Sequence, residues 1–392
     1  MSRTGGLMEG QNQGGYTWKF PQFKRRDVTR MPCASEKILV TLMLAFMMLF
    51  APLICLHLTQ RKHGSFFLVS EQRQASMSVS EAKAHMSLHK FLHIGGPHRG
   101  GTTLLWKLLA THPNVSGFVA SNLHDRMTQL LPGGDFSVHA DDGMRMEGLY
   151  LQSVYPLFGL NAQTGVQGVG LAVQREDGLG KYALVPGAHL TETSALVTSA
   201  NKLKLFRQWA KFWDLSKPVL LEKSPPNMMW MRFLQAMLPN THHLVISRHP
   251  IATSLAHQRW GACASIPLPI LVRNWISQHK YMLDDSKRVS KFMFVRFEDF
   301  VMHPQRFLDQ ICQWMGLPQH TFKGITVSNS TNGKYMTEYR HIRETPRGQS
   351  QHEEMVNEFE HQLQAMALGY SMNDLDYLTT TNIDRPAFIK GL

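Results

Sequence analysis

Short apolar runs alternate with amphipathic stretches over most of this chain. Residues 91–94, 219–222 (VLLE), 243–247 (HLVIS) and 292–296 (FMFVR) have the length and composition of strands buried on both faces. Between them, apolar residues recur at three- and four-residue spacing. That spacing predicts helices over residues 101–111, 228–237, 251–259, 268–285 and 304–315, with a charged C-terminal helix over 353–368. Strands separated by helices imply an α/β fold, a P-loop-like three-layer arrangement with a mostly parallel central sheet flanked by helices. Residues 120–200 break the pattern. Gly-rich pieces at 131–135 and 165–180 predict long loops, which over such a sheet commonly shape an acceptor site.

One apolar run differs in kind. Residues 38–58 (ILVTLMLAFMMLFAPLICLHL) hold 21 positions without a formal charge, enough for one transmembrane helix, tilted or kinked at Pro52. The leader before it is polar and Gly/Gln-rich. It carries Lys19, Lys24, Arg25, Arg26, Arg30 and Lys37 against Glu9, Asp27 and Glu36. The positive-inside bias therefore puts the leader in the cytoplasm and the rest of the chain in the secretory lumen. Arg61 and Lys62 weaken that bias without cancelling it. A leader of 37 residues is too long for an ordinary cleaved signal peptide. The expected organisation is a disordered cytoplasmic tail (1–37), a signal anchor (38–58), a stem (59–89) with some helix in its later part, and a lumenal domain (90–392).

Charge and cysteines narrow the classes. Net charge is +12, so the partners are expected to be anionic, but no zinc-finger spacing or other nucleic-acid motif is present. Four cysteines in 392 residues exclude a disulfide scaffold, although Cys263 and Cys312 share the expected lumenal side and are candidates to pair. Asn114-Val-Ser116 and Asn329-Ser-Thr331 are formal glycosylation sequons.

The strongest chemical signal lies where the first strand meets the first helix, in GGPHRGGTT (residues 95–103). Glycines let backbone amides approach oxyanions closely, and a helix start adds free N–H groups and a positive dipole end. Gly95 and Gly100 have Walker A spacing, yet Gly101 stands where the phosphate-gripping lysine belongs, and Arg99 lies inside the loop instead. A kinase or NTPase needs that lysine and a carboxylate-held Mg²⁺. The second signal is Arg248, which ends the third predicted strand, with Pro250 opening the next helix. An arginine there is positioned to hold a fixed phosphate beside the glycine loop.

Together these segments resemble the sulfotransferases that use 3′-phosphoadenosine-5′-phosphosulfate (PAPS), and with the anchor they resemble Golgi-type members. PHRGGTT (97–103) is similar to the 5′-phosphosulfate loop of that family, and VISRHP (245–250) to its 3′-phosphate strand and helix. LEKSPP (221–226) and VRFEDF (295–300) are similar to two further family elements, so the resemblance covers roughly residues 91–370. It implies a donor site in which Pro97 and His98 shape the loop. Arg99, the amides of Gly100, Gly101, Thr102 and Thr103 and the two threonine hydroxyls would hold the 5′-phosphate and sulfonyl oxygens. Arg248 would hold the 3′-phosphate. The serine that usually follows that arginine by eight positions is Ala256 here. Candidate replacements are Ser254, His257 and a basic C-terminal loop carrying Lys334, Arg343 and Arg347.

For the base that deprotonates the acceptor hydroxyl, the candidates are Glu147, then His124 or Asp125, then Glu222. Lys223 would face the transferring sulfate. The resemblance implies sulfuryl transfer from PAPS, without a metal, to a carbohydrate hydroxyl in the Golgi lumen. A protein tyrosine hydroxyl is the alternative within the class. A P-loop kinase or NTPase and a non-enzymatic, membrane-anchored glycan-binding protein are the readings outside it. The topology has a direct check: protease added to intact microsomes should digest an N-terminal tag and leave a C-terminal tag protected, and the opposite result would reverse the orientation.

Overall fold

The computed structural model describes residues 77–118, 147–155, 180–260, 263–323, 330–375 and 388–390. Six strands form one sheet in the order β2-β3-β1-β4-β5-β6. They are β1 (Lys90–Gly95), β2 (Val115–Ser116), β3 (Val219–Lys223), β4 (Thr241–Ser247), β5 (Phe292–Arg296) and β6 (Phe388–Lys390). Strands β1 to β5 run parallel, and β6 adds antiparallel to β5. Parallel neighbours need crossover connections. The helices are α1 (Val79–Leu88), α2 (Thr102–Leu109), α3 (Ser199–Trp209), α4 (Met231–Met237), α5 (Pro250–Gln258), α6 (Leu268–Ser286), α7 (Phe297–Met302), α8 (Pro304–Met315), α9 (Ser330–Arg343) and α10 (Pro346–Met366).

Strand side chains alternate between the two sheet faces, and both faces are covered. Leu92, Ile94, Val219, Leu221, Leu244, Ile246, Met293 and Val295 pack under α2, α7 and α8. Phe91 and Leu220 point to the other face, where Phe206 and Trp209 of α3 and Phe233 of α4 enclose them. Burial on both faces explains why these strands read as continuous apolar runs rather than alternating ones. Ala82 and Met86 of α1 join this second core, so part of the segment assigned to the stem belongs to the packed fold.

The expected strands and most helices form; β2, β6 and α7 are additional, and three further regions differ. The helix expected over 228–237 is split: Pro225–Met229 is a 3₁₀ turn, and α4 starts at Met231 after Trp230 leaves helical geometry. Helix α3 was not expected, because only Leu205, Phe206 and Trp209 in a polar sequence carry its packing. The basic loop expected around Lys334–Arg347 is instead α9 and the start of α10, fixed by Tyr335, Met336 and Tyr339 at helical spacing. The expected span at 38–58 lies outside the described residues. Among the described residues, no helix is long and apolar enough to cross a membrane.

Cys263 and Cys312 do not form a disulfide. Cys263 packs with Ile266 and Leu271, whereas Cys312 lies on α8, on the opposite side of the sheet. Of the two sequons, Asn329 is outside the described residues. In the other, Ser116 is buried in edge strand β2 and its Oγ accepts from the Asp214 amide at 2.8 Å.

Two histidines of the interior illustrate how buried imidazoles make this fold acid-sensitive. His249 caps α5, its Nδ1 accepting from the Ile251 amide at 3.2 Å while Nε2 bonds the Ser371 carbonyl at 3.1 Å. Burial lowers its pKa to about 4. His279 stacks on Trp275 and bonds the Ser247 hydroxyl at 2.7 Å, and burial lowers its pKa to about 3. In the unfolded chain both titrate near the ordinary value of about 6.5, so acid adds protons to the unfolded state first. Stability is therefore complete above about pH 6.5 and declines as pH falls towards about 3. Urea midpoints measured from pH 7.5 to 4 should fall in this order, and a flat profile would contradict the assignment.

Candidate active site

The site forms at the C-terminal ends of β1, β3 and β4. Strand β1 lies between the other two, with Ile94 opposite Lys223 and Gly95 opposite Val245. Such a crevice, where chain connections leave the central strand in opposite directions, is where ligands bind in open parallel sheets. The connection from β1 to α2 is a tight loop in which the Gly100 amide donates to the Pro97 carbonyl at 2.9 Å. A Cβ on Gly96 would lie 2.1 Å from the Ile246 carbonyl oxygen, so only glycine lets the loop sit this close to β4. Gly101, the α2 N-cap, is left-handed at φ +104°, and a Cβ there would lie 2.6 Å from the Phe297 ring. No lysine fits that position. Arg99 is also left-handed at φ +64°, a conformation that costs a non-glycine residue about 1–2 kcal/mol. Strain of this kind concentrates where a loop is shaped for a ligand, and the first amides of α2 have no helical acceptor.

Three cations surround the loop. Arg99 is exposed, its guanidinium 5.3 Å from the centroid of Trp260. Arg248 is buried between the rings of Phe297 and Tyr335, at 4.8 and 5.1 Å. Its Nε donates to Asn332 Oδ1 at 2.6 Å and its Nη1 to the Arg99 carbonyl at 3.3 Å, while Nη2 is buried with no hydrogen-bond partner among the described residues. Burial lowers the Arg248 pKa, opposed by the nearby Glu298. Glu298 in turn accepts from the His249 amide, the Asn332 side chain and the Tyr370 hydroxyl, at 2.9, 2.7 and 3.1 Å. This network fixes the plane of the Arg248 guanidinium. The third cation, Lys223, is fully buried and donates to Glu147 Oε1 at 2.6 Å.

Successive residues of β3 divide the work. Glu222 lies on the opposite face from Lys223, fully buried. Its Oε1 accepts from the Gly148 amide at 2.8 Å and the Ser224 hydroxyl at 2.6 Å; its Oε2 accepts from Asn227 at 2.5 Å and lies 3.4 Å from His93 Nδ1. The Ser224 hydroxyl also accepts from the Leu149 amide at 3.0 Å, and Trp209 Nε1 donates to the Gly148 carbonyl at 3.0 Å. These bonds pin the segment that carries Glu147. Glu222 is thus a strut rather than a proton acceptor for substrate: its lone pairs are already committed to protein donors.

Other candidates separate in the same way. Pro97, His98, Gly100, Gly101, Thr102 and Thr103 all belong to the loop and first turn. His124 and Asp125 lie outside the described residues. Ser254 is buried on α5, one turn before His257 and on a neighbouring face. His257 itself packs on His98 and Trp260, at 5.6 and 5.2 Å between ring centroids, and not on Arg248. Lys334 is exposed. Two residues from Asn332, it lies about 200° around α9 from the residue that bonds Arg248. Arg343 is eleven residues beyond Asn332 on the same helix, about 16 Å along its axis, and Arg347 is exposed on α10. The structure therefore does not gather these three basic residues at Arg248. Asn332 and Tyr335, three apart and on one face of α9, take that place. No sequence signal marked them, because an asparagine and a tyrosine in a polar segment carry no pattern of their own.

Residues 92–321 match the sequence profile of the sulfotransferase family, and the chain belongs to that family. Membership implies PAPS as sulfuryl donor. No curated protein sequence matches the chain. Among solved structures, it is similar to the sulfotransferase domain of the Synechococcus PCC 7002 olefin synthase, at 17% identity over 64% of this chain and 87% of that one, with a TM-score of 0.36. It is also similar to the sulfotransferase domain from the Curacin biosynthetic pathway, at 15% identity over 64% and 90%, TM-score 0.35. A third likeness is to a Mycobacterium tuberculosis H37Rv sulfotransferase, at 14% identity over 65% and 73%, TM-score 0.36.

The residues present fit such a donor. A strained glycine cradle, an exposed arginine in the loop and a buried guanidinium with one unpartnered arm suit an anion at each end of a nucleotide. The Lys223–Glu147 pair gives a test of how the site is built. Breaking a buried pair strands its partner and costs about 3–5 kcal/mol, whereas removing both charges costs much less. Lys223→Met should destabilise the fold by that amount, and the double variant Lys223→Met/Glu147→Gln should recover most of it in urea denaturation. Additive losses would show that the two side chains do not act as a pair.

Proposed function

We propose that this protein transfers a sulfuryl group from PAPS to a carbohydrate hydroxyl, in the Golgi lumen, as a single-pass type II membrane protein. The observation that carries the donor side is the loop of residues 96–101 set beside Arg248, whose buried Nη2 has no partner among the described residues. Arg99 and the amides at the start of α2 hold the 5′-phosphosulfate, and Arg248, oriented by Asn332 and Glu298, holds the 3′-phosphate. The apolar run at residues 38–58 and its basic leader support the membrane topology and the compartment.

In the reaction the acceptor oxygen attacks sulfur in line with the bond to the 5′-phosphate. That bond breaks, and its electron pair leaves on the phosphate of adenosine 3′,5′-bisphosphate (PAP). Fixed positive charge at Arg99 and Lys223 stabilises the leaving group, and positioning supplies much of the rate. Glu147 receives the hydroxyl proton. Its ion pair with Lys223 sets it beside the cation that faces the sulfate, joining proton removal to charge neutralisation at one point.

Arg99→Ala should lower PAPS turnover roughly 10²–10³-fold, in line with loss of one oxyanion donor. Glu147→Gln should abolish turnover while PAP affinity stays near wild type. Assays with labelled PAPS and a panel of glycans and tyrosine peptides measure both. Near-normal turnover by Arg99→Ala would remove the donor assignment, and transfer to tyrosine peptides alone would replace the acceptor.

A further inference from the structure

Beside the donor loop, and including its His98, lies a group of side chains that the reaction scheme leaves unused. His98 and His257 are both buried, at 4% and 3% exposure, yet His98 Nδ1 and His257 Nε2 have no hydrogen-bond partner among the described residues. Their ring centroids are 5.6 Å apart, and both rings meet Trp260, His98 at 5.8 Å and His257 at 5.2 Å. Trp260 is half-buried and anchored at the end of α5 by its backbone N–H, which donates to the His257 carbonyl at 2.9 Å. Tyr182 closes the far side of His98 edge-on at 5.2 Å, with its hydroxyl already donated to Gln278. Buried polar atoms are nearly always satisfied, so two orphans on neighbouring rings point to a ligand that satisfies them.

We propose that His98, His257 and Trp260 form the acceptor subsite, and that its ligand is a neutral pyranose whose hydroxyls bond the two imidazoles while its ring lies against the indole. The proposal rests on the sulfuryl-transfer reading above and gives its acceptor side a structure.

Three observations favour this ligand. Both imidazoles are neutral: burial, then the charges of His257, Lys223 and Arg99, hold His98 well below its ordinary pKa. Burial, then Arg99, lowers His257 to about 3. A neutral imidazole offers one donor and one acceptor, the complement of a hydroxyl, whereas an anionic acceptor would call for a charged ring. Second, the two orphaned nitrogens match the several hydroxyls, each both donor and acceptor, that one sugar ring presents. Third, Arg99 lies over the Trp260 ring, so a sugar on the indole has its reacting hydroxyl beside the residue assigned to the donor sulfate. The cations facing the pocket, Arg99 from the loop and Lys223 from β3 with Glu147 bound to it, disfavour a cationic acceptor.

The test is saturation-transfer NMR on the full-length chain with PAP present, using methyl β-galactoside and methyl β-N-acetylglucosaminide as probes and an acidic tyrosine peptide as competitor. At least one pyranoside should receive saturation at its ring protons. Trp260→Ala and His257→Phe should each reduce that signal five-fold or more, while His257→Asn, which keeps one hydrogen bond, retains part of it. PAP affinity measured on every variant should stay within three-fold of wild type, which reports an intact fold. Absence of pyranoside signal in a chain that binds PAP would overturn the proposal, as would an undiminished signal in Trp260→Ala and His257→Phe, or displacement of the pyranoside by the tyrosine peptide. Failure of the wild-type chain to bind PAP would instead remove the donor-site reading on which the proposal rests.

Discussion

Parallel strand pairing is the constraint on which this molecule depends. A parallel strand cannot be reached by a hairpin, so each connection crosses a sheet face and every strand ends at the same edge. Strand β1 sits between β3 and β4, and the residues that follow all three strands are therefore neighbours whatever their separation in sequence. The loop after β1, Lys223 at the end of β3 and Arg248 just after β4 are three products of one topology. The chemistry needs a polyanion cradle, a buried cation and a fixed guanidinium within one ligand's length. The sheet supplies that proximity, and the side chains only refine it.

The refinement is mostly second-layer work. Arg248 is held by Asn332, which is held by Glu298, which is bonded by the His249 amide and the Tyr370 hydroxyl. Glu147 stands where it does because Glu222 and Ser224 bind the two amides that follow it. In both cases a carboxylate with several donors, Glu222 fully buried and Glu298 half-buried, fixes backbone or side-chain geometry beside the candidate site. Orientation within that distance decides whether charged groups stabilise a transition state or merely attract substrate.

The parts legible in the sequence are those whose physics is local. A strand buried on both faces shows itself as a continuous apolar run, and a glycine cradle as glycine spacing, so β1, β3, β4, β5 and the donor loop could be read directly. Helix α9 could not. Its packing relies on Tyr335, Met336 and Tyr339 in a polar stretch, and its basic residues suggested a loop closing over a nucleotide. Asn332 and Tyr335 acquire their roles only through a contact with Arg248 that spans 84 residues in the case of Asn332. The setting of Glu222 is hidden for a related reason: alternation along β3 puts it and Lys223 on opposite faces, but only the tertiary structure shows that one face is filled with donors. The histidine pair was equally hidden, since nothing in a sequence announces that a ring nitrogen lacks a partner.

The bond between Arg248 and Asn332 also bears on how the protein is made. Synthesis runs from the N-terminus, so the cradle, Lys223 and Arg248 all leave the ribosome before the residue that orients the guanidinium. Until α9 has emerged, Arg248 has the Phe297 ring on one side and no tether for its Nε. A nascent or C-terminally truncated chain can thus assemble its sheet and still lack an ordered donor pocket. Competence to hold the nucleotide is therefore acquired only after residue 332 and the helix that carries it have been made.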